Sequence, residues 1–173
     1  ISGVDMGSSG NNFGGRMCFD AANLLYVGVG DGGAAISLAG TFAQDVNDRR
    51  GKVLRYQENG SIPLGNPFTS NAMYARGMRN PRGMAVNPGT GDLFCVDSGN
   101  PAGAGADEVN VILSAANYGW DASGNSGAQS VAGYTDPAWS LISTFEPSCV
   151  AFYPTAGVGF PSVGYRGGVV YVG

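Results

Sequence analysis

The chain has 173 residues, 43% of them hydrophobic, with a net charge of −4 and only 13% charged residues. That is one domain's worth of chain; it offers no basic patch to attract nucleic acid and no run of about 20 apolar residues to span a membrane. Histidine is absent, which removes Ser-His and Cys-His catalysis and the commonest transition-metal ligand together.

Thirty glycines and nine prolines, with few windows rich in helix formers, predict an all-β fold of short strands joined by turns. In chain order, the first strand pair is Gly15-Arg-Met-Cys-Phe-Asp20, a turn, and Leu24-Leu-Tyr-Val-Gly28. Gly51-Lys-Val-Leu-Arg-Tyr56 follows as an outer strand. The second pair is entered through the corner Arg79-Asn80-Pro81, runs to Val86, turns at Pro88 and Gly89-Thr-Gly91, and continues to Asp97. Glu108-Val-Asn-Val-Ile-Leu113 supplies its outer strand, and Ser148 to Tyr153 with Gly168 to Val172 form a third pair.

Aligned on Met17, Met84 and Val150, the three pairs recur at intervals of 67 and 66 residues. A period this long with paired strands in each unit points to propeller blades rather than a solenoid. Residues 1–173 therefore read as one partial β-propeller domain, with repeat units beginning near 15, 82 and 148 and no separate second domain. About two and a half blades cannot close a ring of four to eight, so the remaining blades, or a second copy of the chain, are expected to complete it. The abrupt start at Ile1 and the strand broken off at Gly173 predict a fragment.

Several stretches invite a chemical reading. Gly28-Val-Gly-Asp-Gly-Gly33 satisfies the G-x-G-x-x-G dinucleotide pattern, with Ala34 to Val46 as a helix and Glu58 after the next strand. Glycine is abundant and no second βαβ unit follows, so a glycine turn between blade strands is the stronger reading. Asn59-Gly-Ser61 is both a glycosylation sequon and a tight-turn pair, and the turn is preferred. Asp45, Asn47 and Asp48 resemble half a calcium loop but lack its glycine and distal glutamate, which leaves turn caps. Cys18, Cys95 and Cys149 have no metal-ligand spacing; buried free thiols, or one disulfide with a spare thiol, both remain open. Asp107 and Glu108 at a strand start can face a channel and a neighbouring loop or cation, or can be surface acids. Arg79 beside Asn80 suits a carboxylate or carbonyl ligand, and equally suits stapling of its own loop.

In family order over nearly the whole chain stand Gly14-Gly-Arg-Met, Leu25-Tyr-Val, Gly30-Asp-Gly-Gly33, Ala43-Gln-Asp-Val-Asn47 and Arg50-Gly-Lys-Val-Leu-Arg55. They continue with Asn59-Gly-Ser-Ile-Pro63, Asn66-Pro-Phe68, Arg79-Asn-Pro-Arg-Gly83, Asp107-Glu-Val-Asn110 and Asn117-Tyr-Gly-Trp120. With these motifs the chain resembles the glucose/sorbosone dehydrogenase family, the soluble PQQ-dependent aldose sugar dehydrogenases, whose propeller hedgehog-interacting proteins share. The resemblance implies a six-bladed propeller that oxidises an aldose by hydride transfer to a calcium-bound quinone, in an extracellular or periplasmic location. It implies that Arg79 and Asn80 contact PQQ, that backbone carbonyls of Ser98, Gly99 and Asn100 hold the cofactor's calcium, and that Asp107 is an acid at the pocket. Glu108 and the Tyr118 backbone would form a second, structural calcium site. The family's catalytic histidine, four residues before the arginine of Gly-Gly-Arg, is Asn12 here, and a carboxamide cannot take the proton. The resemblance thus implies either an impaired sugar dehydrogenase or a non-catalytic propeller that binds a protein or carbohydrate, as hedgehog-interacting proteins do.

Overall fold

The computed structural model describes residues 10–34, 36–100, 106–121, 123, 131–140, 146–152 and 170–172. They form two four-stranded antiparallel sheets and one two-stranded sheet. The first sheet comprises β1 (Gly14–Phe19), β2 (Leu25–Val29), β3 (Lys52–Tyr56) and β4 (Met73–Arg76), in that order. The second repeats it with β5 (Pro81–Val86), β6 (Leu93–Asp97), β7 (Glu108–Val111) and β8 (Trp139–Ser140). A third sheet begins with β9 (Val150–Phe152) and β10 (Val170–Val172). Tyr153, Gly168 and Val169 of the third expected pair, and residues 154–167 between them, lie outside the described residues. The single helix among the described residues, α1 (Ile36–Gln44), falls within the stretch that the dinucleotide reading marks as helical.

Met17, Met84 and Val150 all lie on the first strand of their sheet. The first strands also lie side by side, β5 packing against β1 on one flank and β9 on the other, as the inner strands of successive propeller blades do. The strands β2, β3 and β6 are buried almost throughout, β6 between the first and third sheets and β2 and β3 between the second sheet and the Ile62 and Phe68 side chains. The near-continuous apolar runs of β2 and β6 follow from that burial.

The inner hairpins are closed by the same chemistry in both blades. Asp20 Oδ1 accepts from Ala22 and Leu24 N–H, each at 2.9 Å, with Asn23 at φ 59°. In the next blade Asn87 Oδ1 accepts from Gly89 N–H at 2.9 Å, with Gly91 at φ 82°. A short side chain mimicking the backbone is what Asp and Asn contribute to turns.

Between the blades lies one core, with Tyr26, Val53, Ala75 and Met78 of the first packing on Met84, Leu93, Cys95, Ile112 and Tyr118 of the second. After β7 the chain crosses back: Ala115 N–H donates to Tyr74 O, Arg76 N–H to Ala116 O, Tyr118 N–H to Arg76 O and Trp120 N–H to Gly77 O, at 2.8–3.0 Å. Asn117-Tyr-Gly-Trp120 is thus a parallel strap on the outer edge of the preceding blade. Its seat requires Gly77, at φ 77°, where a Cβ would run into Asn117 and Gly119. The strap buries Tyr118 and Trp120 between the blades.

The subsidiary readings resolve locally. Val29 and Lys52, at either end of the Gly30–Gly33 and α1 excursion, pair in an antiparallel ladder, so no parallel βαβ crossover exists there to cradle a dinucleotide. The loop's amides are also committed within the protein, Gly30 N–H to Phe13 O and Gly32 N–H to Asn12 O. Asn59 Oδ1 accepts from Ser61 N–H and Oγ, the preferred turn. Asp45 and Asp48 cap their own turns through Asn47 and Arg50 N–H. No disulfide joins the three cysteines, and only Cys95 is buried; Cys18 is half-buried and Cys149 exposed.

Candidate functional site at the blade junction

The site grows from the corner between β4 and β5. Pro81 opens β5 and disfavours helical backbone at Asn80. Asp97, at the end of β6, then clasps the corner: its carboxylate accepts Arg79 N–H at 2.8 Å and Asn80 N–H beside it. Burial pushes the Asp97 carboxyl up to about 7 against the pull of those two amides. With their backbone fixed, the Arg79 and Asn80 side chains reach into a cavity of about 580 Å³.

Asn11 to Arg16 at the start of the first blade form the opposite wall, and Arg82 and Glu146 complete it. Asn12 sits at φ 53°, a left-handed conformation that asparagine tolerates. A Cβ on Gly30 would overlap the Asn12 carbonyl, so that glycine permits the close approach. The Asn12 carboxamide is engaged at both ends: Nδ2 donates to Asp31 Oδ1 at 3.0 Å, and Oδ1 accepts from Asn80 Nδ2 at 3.3 Å. Asn80 Oδ1 in turn accepts Gly14 N–H at 3.0 Å.

Asp31 is the hub beneath this wall. It is 1% exposed, accepts from Gly33 N–H at 2.8 Å and from Trp120 Nε1 at 2.9 Å, and donates its own N–H to Arg79 O. Burial raises its carboxyl above the ordinary range, and the donors of Gly33, Asn12 and Trp120 work against that rise. The sequence reading passed over Asp31 by treating its loop as a glycine turn; an acid directly after a buried strand was the available signal. It also passed over Trp120, Arg82, Glu146 and Asp97 as members of the site.

The other expected site residues lie nearby with different surroundings. Asp107 is wholly buried and absent from the cavity lining: Oδ1 accepts Gly99 N–H at 2.7 Å and Oδ2 accepts Glu146 N–H at 2.8 Å. It positions two loops. The carbonyls of Ser98 and Gly99 accept from Arg79 Nη1 at 3.1 and 2.6 Å, and Asn100 is buried in the same loop. Glu108 is 2% exposed, so the surface-acid alternative for this pair fails. Its Oε2 accepts from Asn110 Nδ2 at 3.2 Å, while Oε1 and Asn110 Oδ1 are buried without a partner. Burial, and the charges of Asp97, Asp107 and Asp136, push Glu108 up to about 8. Tyr118 is buried with its hydroxyl between Leu113 N–H and Val111 O.

The arrangement presents three guanidinium groups, Arg16, Arg79 and Arg82, against one carboxylate, Glu146, which pairs with Arg82 at 2.9 Å. Such a concave, cationic surface favours ligands rich in carboxylate or carbonyl oxygens. Its lining holds no imidazole, and its one carboxylate, Glu146, is paired with Arg82.

Residues 4–165 match the family model described as Glucose / Sorbosone dehydrogenase. A curated relative, the aldose sugar dehydrogenase YliI of Escherichia coli K12, is 36% identical over 118 residues, 65% of this chain and 30% of that protein. Among solved structures, an oxidoreductase of Thermus thermophilus described as a glucose dehydrogenase superposes with TM-score 0.78 at 34% identity, covering 88% of this chain and 46% of that one. The PQQ-bound aldose sugar dehydrogenase of Streptomyces coelicolor gives TM-score 0.67 at 32% identity over 79% of this chain and 38% of that one. The chain spans under half the length of these relatives, and two and a half blades in that share is what a six-bladed ring would give. It belongs to the glucose/sorbosone dehydrogenase family and forms about two and a half blades of that family's β-propeller.

Proposed function

We propose that this chain is the cofactor-facing part of an aldose sugar dehydrogenase-like propeller, whose cavity takes PQQ and whose sugar oxidation is weak because Asn12 stands where a proton acceptor is needed. The observation that carries the reading is the junction of Asn12, Arg79 and Asn80, drawn from two blades onto one cavity. Arg79, with Arg16 and Arg82 near it, answers the carboxylates of such a quinone, and Asn80 offers a carboxamide fixed by Gly14. When bound, the quinone supplies a hydride acceptor for the sugar carbon. The chain's own part is to orient the cofactor and hold the sugar hydroxyl. Asn12 donates to Asp31 and accepts from Asn80, and a carboxamide has no basic atom to take the sugar's proton. Losing a general base costs roughly a hundredfold to ten-thousandfold.

Glu108 fits a calcium ion on its own chemistry. Its orphaned Oε1 and the orphaned Asn110 Oδ1 are two buried acceptor oxygens without donors, which a hard cation would offset. The Tyr118 backbone, on the buried strap, is the other group we assign to this structural site. The location that fits such a protein is extracellular or periplasmic; no described helix is long and apolar enough to cross a membrane.

A second reading, a propeller that binds a protein or carbohydrate without chemistry, draws on the same Asn12 carboxamide. PQQ titration by absorbance, with dye reduction on an aldose panel, separates the two. The first reading expects saturable PQQ binding with slow turnover; no PQQ binding in any condition would leave the second.

A further inference from the structure

We infer that the Arg79 guanidinium, rather than a divalent cation, is the positive charge that the Ser98 and Gly99 carbonyls hold, so this corner of the cavity engages an anionic ligand without calcium. Arg79 Nη1 bonds both oxygens, at 3.1 and 2.6 Å. The residue cannot swing away as a unit, because its N–H is held by Asp97 and its carbonyl accepts Asp31 N–H at 2.8 Å. The Trp120 ring lies 5.6 Å from the guanidinium carbon on the strap side.

A hard divalent cation asks for six to eight oxygens at about 2.3–2.6 Å, several of them anionic. The nearby carboxylates are committed elsewhere. Asp97 spends its oxygens on Arg79 and Asn80 N–H, and Asp107 spends its own on Gly99 and Glu146 N–H. Among the described residues of this loop, two neutral carbonyls and the buried, unpartnered Ser98 hydroxyl stand beside Asn100. No described group of three acidic, histidine or cysteine side chains gathers there or elsewhere. A divalent ion on those carbonyls would also face the guanidinium at contact range, with like charges repelling. The guanidinium instead satisfies both oxygens while its cavity side meets the ligand beside Arg16 and Arg82.

The ligand's identity rests on the quinone reading above, whereas the metal question does not. Calorimetric titration of the purified protein with calcium chloride is expected to show at most one site, lost in E108Q. Terbium emission sensitised by Trp120 is expected to be silent in E108Q and to appear in R79Q/E108Q, where the carbonyls are released. PQQ affinity is expected to stay within about twofold between EDTA and calcium, and to fall at least about tenfold in R79Q, as loss of a charged hydrogen-bond donor predicts. A second calcium site in the wild type, terbium emission in E108Q with Arg79 in place, or PQQ binding that collapses in EDTA would each overturn the inference. If E108Q does not fold by circular dichroism, the wild-type calcium stoichiometry decides alone. Failure of PQQ to bind at all would remove the quinone reading and leave the metal titrations standing.

Discussion

Replacing Glu108 with glutamine tests the buried negative charge at the blade junction directly. Glu108 is 2% exposed, and its carboxyl is pushed from 4.5 to about 8 by burial first and then by Asp97, Asp107 and Asp136. Because the folded value lies above the unfolded one, the folded chain holds an extra proton between those limits. The stabilisation is complete below about pH 4.5 and is lost as pH rises toward 8. At about 1.36 kcal/mol per pH unit the upper bound is about 5 kcal/mol, and local relaxation brings the expectation to about 3. Glutamine keeps the shape and removes the ionisation. Urea unfolding in EDTA should therefore find the wild type losing about 3 kcal/mol between about pH 5 and 9 relative to E108Q, with the two nearly equal at the acidic end. Calcium added at the alkaline end should narrow the gap, since a bound cation offsets the ionised carboxylate. Parallel wild-type and E108Q stabilities across that range would refute both the perturbed carboxyl and its fit to a cation.

Four further outcomes follow from single contacts. Lys52 is wholly buried and donates to Phe42 O, Ala43 O and Arg50 O at 2.7–2.9 Å, although burial draws its ammonium down to about 7. Lys52→Met strands three carbonyls and should cost about 3 to 5 kcal/mol in urea unfolding; a cost below about 1 would show that water replaces the ammonium. Gly77→Ala meets both the positive φ and the strap, and should lower stability by at least about 2 kcal/mol, read as a fall in Tm with altered Trp120 fluorescence. Asp97→Asn keeps the shape but turns an amide group toward one backbone N–H, so PQQ affinity should drop about tenfold through Arg79. Asn12→His places an imidazole against Asp31 with a second nitrogen facing the cavity, and should raise dye reduction by about a hundredfold or more if the ring is otherwise competent; unchanged turnover would remove the missing base as the cause.

The middle strands were legible because burial on both faces writes itself as continuous apolar sequence, as in Leu25 to Val29 and Leu93 to Val96. The outermost strands, β4 and β8, were not. Met73 to Arg76 carries no turn-bounded pattern, and Trp139-Ser140 is too short for one; both are fixed by long-range ladder partners. Arg79 and Asn80 stood out because proline and arginine together mark a constrained polar corner. Asp31 stayed hidden because its partners are 19 and 89 residues away, at Asn12 and Trp120, and no local periodicity records such contacts. Asp107 turns to the N–H groups of Gly99 and Glu146, which the sequence does not record, since a strand-start acid reads the same whether it faces a cavity or its own loops.

Distances along the chain show why site and fold are one problem here. Gly14 N–H to Asn80 Oδ1 and Arg16 Nε to Arg82 O each link residues 66 apart, one blade period. The cavity wall is therefore made of equivalent positions in successive blades, and either blade alone supplies only half of it. The same junction holds Asp31, tied by Trp120 from a strap that belongs to the second blade but hydrogen-bonds the first. Loosening the strap should consequently disturb Asp31 and Asn12 before it unfolds either sheet, since each sheet keeps its own ladder. Ligand affinity should then fail at lower denaturant than far-ultraviolet ellipticity in any strap variant, and coincident loss of the two would mean that the blades unfold as a single unit.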